Sequence, residues 1–344
     1  MISQKRIALE FPAEWKAALT GIKHAFAHTW ENCQSMHLTT GFTTYLYCLE
    51  TENVRIVCPI AEREFEGHID IVTPYGFSGF VGNSDCDGFS RHWREFAREH
   101  GYVCGYIGLN PIFENKTYFQ SDELYSYNNI YVLDLRQSEE ELYAKLSAGR
   151  KGQLKEWKKN SAGLLLDRPA LKDFFLANYS EFFREKGATP AYAFSVATLN
   201  SLFAMDNVVM VGAGLPESVE ATTVFTYTPH AADYLFNISL PKGRRHSAAL
   251  IWYGVNYFKS IGIPTLNLGG GVRADDSLAG FKQRFGGNKL TLNCLKQVYD
   301  KAVYRALCER AGADPAGKTG YFPPYRAPDD SRLITPKTPT ECAR

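Results

Sequence analysis

The chain has 344 residues, 45% of them hydrophobic and 14% aromatic, with a formal net charge of +1. This is a globular composition of a length that suits two ordinary domains, and the near-neutral charge excludes a global field toward nucleic acid or membrane, so any basic site must be local. No run of the roughly 18 apolar residues that a spanning helix needs is present, and "MISQKRIALEFPAEWKAALTG" lacks the apolar centre of a leader, so a cytoplasmic protein is expected.

In "PAEWKAALTGIKHAFAHTW", Trp15, Leu19, Ile22, Phe26 and Trp30 recur at helical steps, which predicts one long amphipathic helix starting at Pro12. "GFTTYLYCLE" and "VRIVCPIAE" read as a hairpin, and "HIDIVTP" as a further strand. "SRHWREFAREHG" reads as a helix capped by Ser90 and stopped by Gly101, followed by the strands "YVCGYIGL" and "NNIYVLDL".

The pattern then begins again. A strand "GLLLD" and helices in "LKDFFLANYSEFFREKG" and "SVATLNSLFAM" precede the strands "NVVMVGAG", "ATTVFTYTP" and "DYLFNISL". A helix "SAALIWYGVNYFKSIG", a strand "TLNLGGG" and a helix "QVYDKAVYRALCERAG" complete it. Antiparallel strands followed by helix and strand, twice over, predict two similar α/β units. The Pro-rich residues 313–344 read as a largely irregular tail.

The eight cysteines lack CxxC spacing and fit reduced, mostly buried thiols. His28, Cys33 and His37 lack a fourth partner, so no metal site is expected. No GxSxG elbow is present and no cysteine stands in a basic loop, which favours direct transfer chemistry over a covalent intermediate.

"NLGGGVRADDSLAGFKQRFGG" places Gly269, Gly270 and Gly271 before a short helix capped by Asp276 or Ser277. A dinucleotide loop fails there, because Ala274 replaces the third glycine and no acidic strand end follows. At about 100° per residue, Lys282 falls about 40° from Leu278 on the inward arc with Phe281 and Phe285, whereas Arg284 turns outward. Spacing alone leaves two readings: a lysine whose ammonium snorkels to water, or one held to meet developing negative charge.

"DIVTPYGFSG" (70–79), "REKGATPAYAFS" (184–195) and this glycine-turn segment occur in that order, and together they resemble the Fem aminoacyltransferases (FemAB and FemX) of the GNAT acyltransferase superfamily. The resemblance covers most of residues 1–310. It implies an α/β (α+β) fold of two GNAT-like domains, 1–145 and 146–312, each a mixed, mostly antiparallel sheet flanked by helices.

The implied chemistry is transfer of an acyl group, commonly an amino acid from aminoacyl-tRNA, to an acceptor amine such as that of a peptidoglycan precursor, a peptide or a natural-product intermediate. It implies that Lys282 and Phe281, with Gly269, Gly270 and Gly271, line the acyl-donor channel. Asp70 and Tyr75 would surround the acceptor amine, although the same residues suit a packed turn. Lys242, Arg244 and Arg245 stand where GNAT proteins hold CoA phosphates, but "LPKGRRHSAALIWYG" copies that loop poorly, leaving the donor open between aminoacyl-tRNA and acyl-CoA as co-substrate. The basic segment 145–159 sets six cations against Glu156, and the resemblance gives Arg150 and Tyr192 to the acceptor or to tRNA. A non-catalytic protein binding RNA or another anion is the competing class.

Overall fold

The structure, a computed structural model, describes residues 2–113, 117–160, 163–185, 192–317 and 320–327. Strand β1 (Ser3–Ala8), which the polar sequence hides, adds to the edge of the hairpin β2 (Thr43–Glu50) and β3 (Arg55–Phe65). Lys5 and Arg6 give that edge the charge that discourages further pairing.

The expected long first helix is broken. Helix α1 (Pro12–Leu19) ends where Gly21 takes φ +79°, residues 26–28 form a 3-10 turn, and α2 (Trp30–Thr40) starts afresh with Thr29 Oγ1 accepting the Asn32 N–H. The apolar series is still inward, with Trp15, Leu19, Ile22 and Phe26 all buried. Chain reversal at Gly21 allows Trp15 Nε1 to donate to the His28 carbonyl at 3.0 Å.

Strand β4 (His68–Val72) runs antiparallel to β3, and β5 (Val81–Gly82) also pairs with β3. Helix α3 (Phe89–Glu99) then crosses to β6 (Tyr102–Gly108), parallel to β4. Its N-cap is Gly88 rather than Ser90, whose hydroxyl instead donates to Glu123, but Gly101 stops it at φ +69° as expected. Strand β7 (Leu124–Asp134), α4 (Glu139–Lys145) and α5 (Ala148–Asn160) follow.

In the second half, "GLLLD" contributes only a bridge, Leu165 to Gly212. Helices α6 (Arg168–Glu185) and α7 (Val196–Phe203) precede the meander β8 (Val208–Leu215), β9 (Ser218–Thr228) and β10 (Ala231–Ser239). Helix α8 (Ser247–Ser260) crosses to β11 (Thr265–Asn267), parallel to β10. After α9 (Ser277–Gln283), β12 (Asn288–Val298) takes the place expected for the start of the last helix, which is shortened to α10 (Lys301–Arg310).

Among the described residues the strands form one twelve-stranded sheet, ordered β1-β2-β3-β4-β6-β12-β7-β11-β10-β9-β8, with β5 off this path beside β3. Each half contains an antiparallel meander, a crossover helix and a parallel strand, the repeated element order expected of two similar α/β units. The break expected at 145/146 is not a break in the sheet: β7 pairs with β11, whereas β12 returns to lie between β6 and β7.

One core packs α8 against β7, β9, β10 and β11, and another packs α3 against the first half's strands. Helices α6 and α7 cover the opposite face of the second meander. Gly254 makes the α8 contact possible, because a Cβ there would come 2.5 Å from the Phe225 ring. Phe322 and Tyr325 are buried beside α10, and residues 328–344 lie outside the described residues.

Candidate functional site

The glycine turn follows directly from β11 and is held from two sides. The Asn267 side chain accepts the Gly269 N–H at 2.7 Å, and Lys282 Nζ donates to the Gly270 carbonyl at 2.7 Å. Two of the glycines are required by close approach: a Cβ on Gly270 would sit 2.1 Å from the Asn129 carbonyl oxygen, and one on Gly271 would sit 2.1 Å from Asp276 Oδ1. Asp276 caps α9, accepting the Ala279 N–H at 2.8 Å and the Arg273 N–H at 3.0 Å. Asp276 is therefore the cap, and Ser277 is the first helical residue.

Lys282 is 7% exposed and does not snorkel. The inward arc of α9 runs through Ala279, Lys282 and then Phe285, whereas Leu278, the reference for the wheel, is 40% exposed. Burial pushes the ammonium down to about 8, opposed by the charge of Asp276. No carboxylate pairs with it among the described residues; it has one carbonyl acceptor and the Tyr234 ring, 5.7 Å away. One of three N–H donors is engaged, which leaves capacity for an oxyanion.

A second buried cation packs on the aromatic residues of α9. Arg150 of α5 is 6% exposed, lies over the Phe281 ring at 4.1 Å and the Phe285 ring at 5.1 Å, and donates to the Phe281 carbonyl at 3.4 Å. It also bonds Gln153, but its Nε is buried without a partner and no carboxylate faces it among the described residues. Burial and then Arg284 lower its proton affinity. Phe281 thus supports Arg150 while Lys282, the next residue, supports the turn. Two buried cations without counter-charges attract an anion.

The basic run 242–246 does not form an open phosphate loop. Residues 241–246 wind into 3-10 turns that run straight into α8, consuming N–H groups that a cradle would offer. Gly243 is pressed so closely onto the Glu220 carbonyl that a Cβ would lie 2.0 Å from its oxygen. Arg245 and His246 turn to the Glu220 carboxylate at 3.3 and 2.9 Å, while Lys242 and Arg244 are exposed.

Asp70 is separated from this group by its bonds. Its carboxylate is buried, accepts from Arg63 Nε at 2.7 Å on one oxygen, with Nη2 in ion-pair contact at 2.6 Å, and accepts from Tyr325 Oη at 3.1 Å and Arg326 Nε at 2.5 Å on the other. With both oxygens engaged, we assign Asp70 to fastening residues 320–327 rather than to an acceptor amine. Tyr75, after β4, instead reaches the second half: its ring meets Tyr192 at 5.4 Å, Phe194 at 4.9 Å and Phe236 at 6.4 Å. The candidate residues therefore separate into Lys282 on the glycine turn, Arg150 on the aromatic residues of α9, an aromatic group around Tyr75 and Tyr192, and Asp70 bonded apart from them.

The sequence reading missed Asp233 and Asn267. Asp233 of β10 is buried, and its Oδ1 accepts Asn267 Nδ2 at 2.9 Å. The available signal was one acidic residue inside the apolar run "AADYLF".

No family model matches the chain, and no curated protein matches its sequence. Its fold matches solved structures. FemX superposes with a TM-score of 0.66 at 11% identity, covering 88% of this chain and 99% of its own. A conserved protein of unknown function from Bacteroides thetaiotaomicron gives 0.58 at 10% identity, covering 87% and 100%. The C-terminal domain (DUF2156) of a putative lysylphosphatidylglycerol synthetase from Agrobacterium fabrum gives 0.54 at 13%, covering 87% and 96%. Over nearly nine-tenths of its length, this chain has the fold of FemX.

Proposed function

We propose that the protein is an acyltransferase of the Fem type that joins an activated acyl group to an acceptor amine. The observation that carries this reading is Lys282: a buried ammonium without a carboxylate, fixed to the glycine turn at the end of β11. The acceptor nitrogen attacks the acyl carbon, the C–N bond forms, and the bond to the donor's oxygen breaks. The proton released by the amine balances the alkoxide that leaves. Lys282 and Arg150 supply positive charge where the tetrahedral oxyanion and the leaving group develop theirs, and proximity supplies much of the remaining rate.

Aminoacyl-tRNA is the donor we favour over acyl-CoA. The closed 3-10 turns at 241–246 support this, since they offer no open row of N–H groups to a pyrophosphate. Lys155, Lys158 and Lys159 form an exposed basic stretch on the helix that carries Arg150, suited to an RNA backbone. Phosphate contacts there make binding weaken steeply with salt. The test is to incubate the protein with charged bulk tRNA or acetyl-CoA and a panel of amines, and to seek a new amide by mass spectrometry. Transfer from charged tRNA, abolished by ribonuclease, is expected. Transfer from acetyl-CoA alone overturns the donor assignment, and RNA binding without transfer from either donor overturns the enzyme.

A further inference from the structure

Strands β10 and β11 part immediately before the glycine turn. Their last paired residues are Asp233 and Asn267. Beyond that rung, the Leu268 N–H donates to the Tyr131 carbonyl at 2.9 Å and the Tyr131 N–H to the Gly269 carbonyl at 3.1 Å, so the chain leaving β11 stays with β7. Strand β10 continues instead along β9, from Tyr234 opposite Phe225 to Ser239 opposite Ala221. At this fork a side-chain bond clasps the two strands: Asn267 Nδ2 donates to Asp233 Oδ1 at 2.9 Å, with both residues buried.

A carboxylate is a costly choice for this clasp. Asp233 is 7% exposed, and no lysine, arginine or histidine pairs with it among the described residues. An asparagine could accept the same bond without the charge. What the carboxylate adds is a single sense of hydrogen bonding. It only accepts, so the Asn267 amide must turn Nδ2 toward it, and Oδ1 then faces the Gly269 N–H, which it accepts at 2.7 Å. A flipped amide would set Nδ2 against that N–H and release the turn. The Gly270 carbonyl, one residue on, receives Lys282 Nζ at 2.7 Å. Three hydrogen bonds and a short stretch of backbone thus lead from Asp233 to the ammonium.

We propose that Asp233 is a positioning residue: by fixing the sense of the Asn267 amide it holds the glycine turn, and through the turn Lys282, in the arrangement that serves transfer. The effect on transfer rests on the acyltransferase reading. The clasp itself does not, because the Gly269 N–H reports on it without any substrate.

Two measurements on the full chain test this: hydrogen exchange at the Gly269 amide, and single-turnover transfer from charged tRNA to an amine. Asp233→Leu, which cannot accept, is expected to speed Gly269 exchange at least about fivefold and to slow transfer about ten- to a hundredfold, with the amine concentration at half-maximal rate little changed. Asp233→Asn keeps an acceptor in one of its two amide orientations and is expected to lose only about threefold in each measurement. Asn267→Asp alone sets two buried carboxylates together and is expected to slow transfer more than about tenfold. Adding Asp233→Asn to it exchanges donor and acceptor, restores the clasp and should bring transfer to within about fivefold of wild type. Should Asp233→Leu not fold, this exchanged pair carries the test. Wild-type transfer by folded Asp233→Leu, or no recovery in the exchanged pair, overturns the proposal. Gly269 exchange that depends on Asp233, alongside no transfer by wild type from any donor, removes the acyltransferase reading and leaves the clasp.

Discussion

An ammonium taken out of water without a carboxylate beside it loses solvation that one carbonyl and one ring restore only in part, and at Lys282 the loss appears as a proton held less firmly. Lys282 releases its proton at about 8 in the folded chain, against 10.5 ordinarily. Between those values the unfolded chain binds more protons, so stability rises with pH; below 8 both states hold the proton and the penalty is fully present. Urea melts across this range should show wild type gaining about 3 kcal/mol relative to Lys282→Met. A constant difference between the two proteins would contradict the burial. Asp70, by contrast, is a buried carboxylate paired with two guanidinium groups. Asp70→Asn leaves Arg63 and Arg326 facing a neutral group and should cost about 3–5 kcal/mol by denaturant titration, with transfer by the folded protein intact. Lys282's inward position was legible from helical spacing alone. Asp70's distant partner was not, since Arg326 lies 256 residues away and nothing local announces it.

At the scale of elements, the glycine turn and α9 work as one unit, the turn supplying the carbonyl that fixes the lysine and the helix supplying the lysine. Gly270→Ala should disrupt both, because its Cβ would need space held by the Asn129 backbone, which a ladder strand cannot yield cheaply. The expected result is a loss of at least about 2 kcal/mol in thermal or denaturant melting together with a transfer rate lowered more than tenfold. Unchanged stability and transfer would show that the turn is not fixed as described. Most strands and helices were legible from periodicity and caps, including the Gly101 stop. The first helix was not, since its apolar residues are equally buried on either side of the reversal at Gly21. Strand β12 was hidden because alternating Lys289, Thr291 and Asn293 resemble a polar connection until β6 and β7 flank it.

At the scale of the whole molecule, the two units share strands as well as a sheet. A chain ending at residue 145 would lack β12 and leave β6 with an open edge, and a chain starting at 146 would lack the β7 ladder against which β11 and β12 form. Produced separately, the halves should be insoluble or show no cooperative melting transition, whereas co-expressed halves should associate; two cooperative, soluble halves would contradict strand exchange. The repeated element order was legible, but the exchange was not, because strand order depends on contacts across more than 150 residues rather than on local pattern. The central claim is that this frame exists to hold Lys282 at the end of β11 for acyl transfer. Single-turnover transfer from charged tRNA to an acceptor amine, compared between wild type and Lys282→Ala of matched folded content, tests it most directly. The account predicts a loss of at least about a hundredfold, as for removal of one charge-stabilising donor; equal rates in the two proteins would contradict it.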